Sequence, residues 1–135
     1  MSRENVELVR QVYEAARRRD PAAVLALYDP QVEWDASRTH LGGLTGPVVH
    51  GRDDLREWFR EWFVAWEGLE DREDELIEAG EQVISVGRTR ARGRSSGVEV
   101  EMSGAAVWTI MDGRVTRVVW FPSREEALEA VGLRE

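Results

Sequence analysis

Apolar positions recur with two different periods, and the change of period divides the chain. Val6, Val9, Val12, Tyr13 and Ala16 follow the 3.6-residue spacing of an amphipathic helix, predicted over residues 5–19. Asp20 and Pro21 then offer an N-cap and a proline at the first helical position, which predicts a short second helix over 21–28, stopped by Asp29-Pro30. Residues 31–36 have strand character, and residues 37–50, with Gly42, Gly43, Gly46 and Pro47, form a loop. The strongest helical signal is Leu55, Trp58, Phe59, Trp62, Phe63 and Trp66, six large groups on one face of a helix over 53–66. That face is expected to be buried against something broad.

Beyond residue 70 the period becomes two. Strands are predicted over 71–79, 82–94, 97–110 and 114–121, joined by Gly80-Glu81, Ser95-Ser96 and Asp112-Gly113 as turns of a meander of long antiparallel strands. Ser123-Arg124-Glu125-Glu126 is a capping box before Ala127, Leu128 and Val131, and Gly132 marks the end of a terminal helix. No internal repeat or linker interrupts this order, so residues 1–135 are expected to form one domain of the α+β class.

Two-residue turns fix the register. Arg88 would lie opposite Glu73 and Ser103, Arg90 opposite Asp71 and Glu101, and Arg117 opposite Trp108, on which it could stack. One face then carries an arginine ladder followed by an apolar patch of Ile84, Val86, Ala105, Val107, Val118 and Trp120. The other carries Val83, Ser85, Gly87, Met102, Gly104, Ala106, Trp108, Val119 and Phe121, a mixture of small and aromatic groups suited to a concave surface with a hollow. With helices on the concave face, the apolar patch needs another cover, and a homodimer through the sheet is expected.

Composition narrows the chemistry. With 33% charged residues and a net charge of −8, the chain is a poor ligand for nucleic acid or an anionic membrane. Residues 67–81 hold eight acids and one arginine, so most of that charge is one solvated strand rather than a property of the whole surface. The start Met1-Ser2-Arg3-Glu4-Asn5 has neither a basic nor an apolar leader segment and no apolar run reaches membrane-spanning length, so a cytoplasmic protein is expected. There is no cysteine, and every basic residue besides the two histidines is arginine. Thiolate and Schiff-base chemistry are therefore excluded, and any catalysis rests on Asp, His, Tyr and Arg.

Asp35 follows Trp34 at the end of the first strand, where neighbouring indoles could raise its pKa and make it a base. The alternative of equal weight is that it pairs with Arg38 or caps the loop. His40 and His50 flank the glycine-rich loop as possible proton shuttles or hydrogen-bond donors. Two histidines ten residues apart without a third ligand argue against a metal, and neither metal nor cofactor is expected. Trp34, Trp58, Trp62, Met102, Ala106, Trp108, Val119, Phe121 and His50 are the expected ligand-binding residues.

The order of elements, with Glu4-Asn5-Val6-Glu7-Leu8-Val9-Arg10, Leu27-Tyr28-Asp29-Pro30-Gln31-Val32-Glu33-Trp34-Asp35, His50-Gly51-Arg52-Asp53-Asp54-Leu55-Arg56 and Val107-Trp108-Thr109-Ile110-Met111-Asp112-Gly113-Arg114-Val115, resembles the SnoaL-like, polyketide cyclase-like branch of the nuclear transport factor 2-like superfamily. The resemblance implies a cone-shaped α+β barrel, with a curved antiparallel sheet wrapped around N-terminal helices and an internal pocket, and usually a dimer. It implies no single chemistry, because such proteins include isomerases, epoxide hydrolases, cyclases and non-catalytic binding modules. By analogy with the steroid isomerases Tyr13 could be an oxyanion donor, although their strand carboxylate falls on Trp34 here, one step from Asp35. Ala106 stands where many SnoaL-like chains place a pocket histidine, and the Asp–Arg–Asp set of the epoxide hydrolases is not visible. The expected function is a pocket for a small apolar or aromatic molecule, with cofactor-independent proton transfer of the isomerase, cyclase or hydrolase kind by Asp35, His40, Arg38 and Tyr13. The alternative is a non-catalytic ligand-binding or dimerising module.

Overall fold

In the computed structural model, which describes residues 2–39 and 48–133, the chain runs α1 (Ser2–Arg17), α2 (Pro21–Ala26), β1 (Tyr28–Asp35), β2 (Val48–His50), α3 (Arg52–Ala65), β3 (Trp66–Ala79), β4 (Gln82–Gly93), β5 (Glu99–Met111), β6 (Arg114–Phe121) and α4 (Arg124–Ala130). The caps act where the sequence places them. The Asp20 carboxylate accepts from the Ala23 N–H at 3.1 Å, and the Ser123 hydroxyl accepts from the Glu126 N–H at 3.2 Å. Asp112 and Gly113 both have positive φ, 53° and 75°, which matches the twist of the strands they join and fixes the β5–β6 hairpin.

The strands form one open, six-stranded sheet in the order β2-β1-β6-β5-β4-β3. It is mixed rather than wholly antiparallel: β1 runs parallel to β6, with Glu33 opposite Arg117 and Asp35 opposite Val119. Such a pairing needs a long crossover, and α3 with β3–β5 supplies it. Pro30, which has no N–H to give, lies in the stretch between Tyr28 and Glu33 where this ladder is irregular.

The three hairpins differ in register. The β4–β5 pair keeps the predicted register throughout, with Arg88 opposite Ser103 and Arg90 opposite Glu101. The β3–β4 pair keeps it from Ala79–Gln82 to Glu75–Val86 and then slips by one residue at a bulge between Glu73 and Glu75. Beyond the bulge Arg88 faces Arg72, Arg90 faces Glu70 and Asp71 faces Thr89, so the expected pairs Arg88–Glu73 and Arg90–Asp71 do not form. A second slip, between Thr109 and Ile110 on β5, puts Arg117 opposite Thr109 and Val118 opposite Trp108. Arg117 therefore does not stack on Trp108; its Nε donates to Glu33 at 3.1 Å. Because one step in a strand reverses the face, the second slip also exchanges the predicted faces of four β6 residues. Val118 and Trp120 turn to the helices, and Val119 and Phe121 turn to the other side.

The main core lies between α1, α2, α3 and the concave face, where Val9, Val12, Tyr28, Val32, Leu55, Val83, Trp108, Val115 and Val118 are buried together. The convex patch of Ile84, Ala105 and Val107 is also buried, by Ala127 and Leu128 of α4 with Val131 beside them. The chain's own terminal helix thus supplies the cover for which a second copy was expected, and the sheet-face reason for a dimer disappears. Of the aromatic face of α3, only Leu55 is fully buried; Trp58, Phe59, Trp62, Phe63 and, just past the helix end, Trp66 are half-buried. That face meets a hollow rather than a packed layer. No helix among the described residues is long and apolar enough to cross a membrane.

Candidate functional site

The hollow has a volume of about 490 Å³ and lies between α1, α3, the concave ends of β3–β5 and the end of β6. Five tryptophans contribute to its wall. Trp34 packs on Trp58 with ring centroids 4.4 Å apart, and Trp58 stacks on Trp62 at 5.2 Å with planes inclined by 13°. Trp120 bridges the two halves of the wall, 6.1 Å from Trp34 and 6.2 Å from Trp108. Gly87 and Gly104 are partners on β4 and β5, and a side chain at Gly104 would approach the Phe121 carbonyl oxygen to 2.9 Å.

Polar side chains share the lining, among them Tyr13, Arg38, Asp71, Arg72, Arg88 and Thr89. Ser85, fully buried, accepts a hydrogen bond from Trp108 Nε1 at 2.8 Å and shares one with Tyr13 Oη at 2.9 Å. Burial pushes the Tyr13 phenol well above its ordinary pKa, an effect the Ser85 hydrogen bond only partly offsets, so Tyr13 is a neutral hydrogen-bonding group at physiological pH. The Trp120 Nε1–H is buried and finds no acceptor among the described residues. An unpaired buried donor is costly, and an acceptor on a bound molecule would remove that cost.

Asp71 is the carboxyl of the cavity wall. Upstream of the bulge its neighbours alternate, with Leu69, Asp71 and Glu73 half-buried and Glu70 and Arg72 exposed. Asp71 shares its face with Thr89, whose Oγ1 donates to Asp71 Oδ1 at 2.5 Å. The neighbouring Glu73 is paired with Arg17 of α1 at 2.5 Å. Burial raises the Asp71 pKa above the usual carboxylate range, against the opposing pull of the Thr89 hydrogen bond and the Arg17 charge.

The expected site residues divide. Tyr13, Arg38, Trp34, Trp58, Trp62, Met102 and Trp108 line the cavity, and Phe121 borders it at the end of β6 although its ring packs with the convex cluster. Arg38 stands at its rim with the guanidinium carbon 5.4 Å from the centre of the Phe121 ring. Asp35 does not line it. Its Oδ1 accepts from the Ser37 N–H at 2.8 Å and the Ser37 hydroxyl at 2.6 Å, and its Oδ2 from Arg38 at 3.2 Å. Burial would raise its pKa, but these donors and the Arg38 charge outweigh burial and hold the carboxyl below the ordinary range. The anticipated indole-raised base is thus a structural carboxylate of its own turn. His50 sits on the short edge strand β2 with a side chain 73% exposed, Nδ1 3.9 Å from Glu33, away from the cavity. His40 lies outside the described residues. Ala106 is packed into the core without reaching the cavity, and Val119 is turned to the opposite face by the β6 slip. Among the described residues no three Asp, Glu or His gather as a metal site.

Sequence reading missed Asp71, Thr89 and Trp120. Asp71 is hidden in the run Glu70-Asp71-Arg72-Glu73-Asp74-Glu75, where no apolar residue marks which face is inward. A signal does exist in Gly87: glycine inside a strand points to a bulge or a close approach. A Cβ there would sit 2.1 Å from the Arg72 carbonyl oxygen.

The chain's relatives were found by both sequence and structure. Residues 9–118 match the family model of the SnoaL-like domain. An NTF2-like protein from Burkholderia thailandensis is 31% identical, with 86% of this chain and 88% of that one covered and a TM-score of 0.76. An NTF2-like protein of unknown function from Burkholderia pseudomallei is 26% identical over 96% of this chain and 98% of that one, with a TM-score of 0.78. A polyketide cyclase candidate from Xanthomonas campestris shares the fold, with a TM-score of 0.74 at 20% identity over 97% and 98% of the two chains. No curated protein matches.

Proposed function

Because this chain belongs to the SnoaL-like domain family, a fold that houses small-molecule pockets, we propose that its cavity binds a planar apolar or aromatic molecule and supports proton-transfer chemistry of the isomerase, cyclase or hydrolase kind. The observation that carries this reading is the indole wall Trp34–Trp58–Trp62, closed on the far side by Trp108 and Trp120. Flat rings stacked on indoles gain both apolar burial and favourable ring–ring geometry. Tyr13 and Arg38, both on the lining, are the groups that would orient a polar edge of such a molecule. A purely binding role is the second reading, favoured by Asp35 being satisfied outside the cavity.

The test is titration with 2-naphthol, a planar probe small enough for 490 Å³, followed by quenching of tryptophan emission. Saturable quenching is expected, with affinity at least about tenfold weaker in Trp62→Ala, the equivalent of losing roughly 1.4 kcal/mol. Quenching that is linear in 2-naphthol and unchanged by the substitution would defeat the binding reading.

A further inference from the structure

We propose that Asp71 is the proton-accepting carboxylate of this cavity, positioned by the β3 bulge at Asp74, the bare backbone of Gly87 and the hydroxyl of Thr89. The inference rests on the reading of the cavity as a small-molecule site and names the group that works there.

Three features point the same way. First, without the slip between Glu73 and Glu75, Asp71 would stand opposite Arg90 on the convex face, among arginines and water; with it, Asp71 stands opposite Thr89 on the concave face. Second, the slip needs Gly87. The Arg72 carbonyl oxygen occupies space that a Cβ at Gly87 would enter to 2.1 Å, and the Arg72 carbonyl carbon lies 3.1 Å from the same point. Third, the carboxyl is held by one oxygen and open at the other. Thr89 donates to Oδ1 at 2.5 Å, while Oδ2 takes no hydrogen bond among the described residues.

The charges around Asp71 leave it available. Tyr13 and Arg17 face it from α1, Thr89 from β4, and Glu73 from its own strand. Arg17, whose charge acts on Asp71, is engaged by Glu73 at 2.5 Å, and Arg88, also on the cavity lining, by Asp74 at 3.0 Å, so neither makes an ion pair with Asp71. A base works best near neutral pH when its conjugate acid is not too strong, and burial moves Asp71 in that direction.

Such a base serves a planar molecule with a C–H acidic enough for a carboxylate to remove, and a planar ketone with a C–H beside its carbonyl is the case that tests it. Asp71 Oδ2 takes the proton, the C–H electron pair becomes the C=C bond of an enolate, and the carbonyl π pair moves to oxygen. The acid on Oδ2 swaps its proton with solvent and then reprotonates the same carbon, giving isotope exchange, or it delivers its proton to a conjugated carbon, giving an isomer. No further reactant is consumed.

The experiment is hydrogen–deuterium exchange at the C1 and C3 methylenes beside the carbonyl of 2-tetralone in D₂O at neutral pD, followed by NMR, alongside 2-naphthol binding. The wild type is expected to exchange above the buffer rate, and Asp71→Asn to lose roughly 100-fold or more of that rate while binding 2-naphthol as before. Should Asp71→Asn also lose 2-naphthol, Asp71→Glu decides: exchange above buffer upholds the assignment, and the buffer rate overturns it. Exchange in Asp71→Asn within about threefold of wild type overturns the assignment of Asp71. Binding of 2-naphthol without any exchange in the wild type overturns it as well, and leaves the pocket reading standing. Failure of the wild type to bind 2-naphthol removes the pocket reading and this inference with it.

Discussion

Asp35 and Asp71 are both withdrawn from solvent, one at the end of β1 and one in the middle of β3, and the fold treats their charge in opposite ways. Three hydrogen bonds from Ser37 and Arg38 converge on Asp35 and hold its pKa down. One hydrogen bond reaches Asp71, the Arg17 guanidinium that acts on it is paired with Glu73, and burial holds its pKa up. Burial acts on both carboxyls, so burial alone does not separate them; the number of donors already claiming their oxygens does. A carboxylate whose oxygens are filled by its own turn stabilises that turn, and one with an open oxygen in an apolar cavity is free to act on a ligand.

The bulge is the element on which this contrast depends, and Gly87→Ala is the strongest way to break it. A methyl group 2.1 Å from the Arg72 carbonyl oxygen cannot be absorbed by a side-chain rotation, since both partners are backbone. We expect a loss of about 1–3 kcal/mol or more, read as a fall in Tm on the order of 5–10 °C. We also expect a drop of at least about tenfold in 2-tetralone exchange as Asp71 leaves the concave face. A variant with wild-type Tm and wild-type exchange would show that Asp71 reaches the cavity without the bulge.

Much of the fold was legible because its signals are local: the α1 stripe, the caps at Asp20 and Ser123, the turns at Gly80 and Asp112-Gly113, and the uninterrupted β4–β5 register. The parallel β1–β6 contact was not, since a pairing between distant strands leaves no mark in either strand's own pattern. Most of the aromatic wall could be read, from the 3- and 4-residue spacing of Trp58 and Trp62 and from Trp34 and Trp108. Its remaining member, Trp120, was assigned to the wrong face because the slip lies upstream of it on β6. Asp71 was misplaced for the same reason at the other side of the sheet. Both errors come from hairpins extrapolated past a one-residue insertion, where a period of two turns a small error of position into a full reversal of face.

Removing the two carboxylates in turn sharpens the contrast through the sign of the pH dependence. Asp35 has a folded-state pKa below its unfolded value, so its stabilisation is present above the unfolded pKa and is lost as pH falls through the folded one. Asp35→Asn should therefore cost on the order of 2 kcal/mol at pH 7, with the gap from wild type closing as the solution is taken below the carboxylate range. Asp71 has its folded pKa raised, so its penalty is absent at low pH, where both states are protonated, and grows as pH rises through the unfolded and then the folded pKa. Asp71→Asn should match or exceed the wild-type Tm at pH 7 and lose that advantage in acid. Thermal melts of the three proteins from pH 3 to pH 8 give both curves. Parallel curves for the two variants would mean that the carboxyls share one environment.

The smallest expected effect separates the position of Asp71 from its basicity. Thr89→Val keeps the shape of the residue and removes the hydroxyl that donates to Oδ1 at 2.5 Å. That hydrogen bond favours the ionised carboxyl, so without it the Asp71 pKa rises further and the midpoint of the exchange-rate profile moves to higher pH. The rate on the alkaline plateau should change by no more than roughly threefold, because a weakly increased basicity offsets a slightly looser carboxyl. Stability should fall by about 1 kcal/mol. A midpoint that stays in place while the plateau falls would mean that Thr89 positions the carboxyl without tuning it. A midpoint that moves to lower pH would mean that the group titrating in the profile is not Asp71, since no change to Asp71 caused by loss of a donor has that sign.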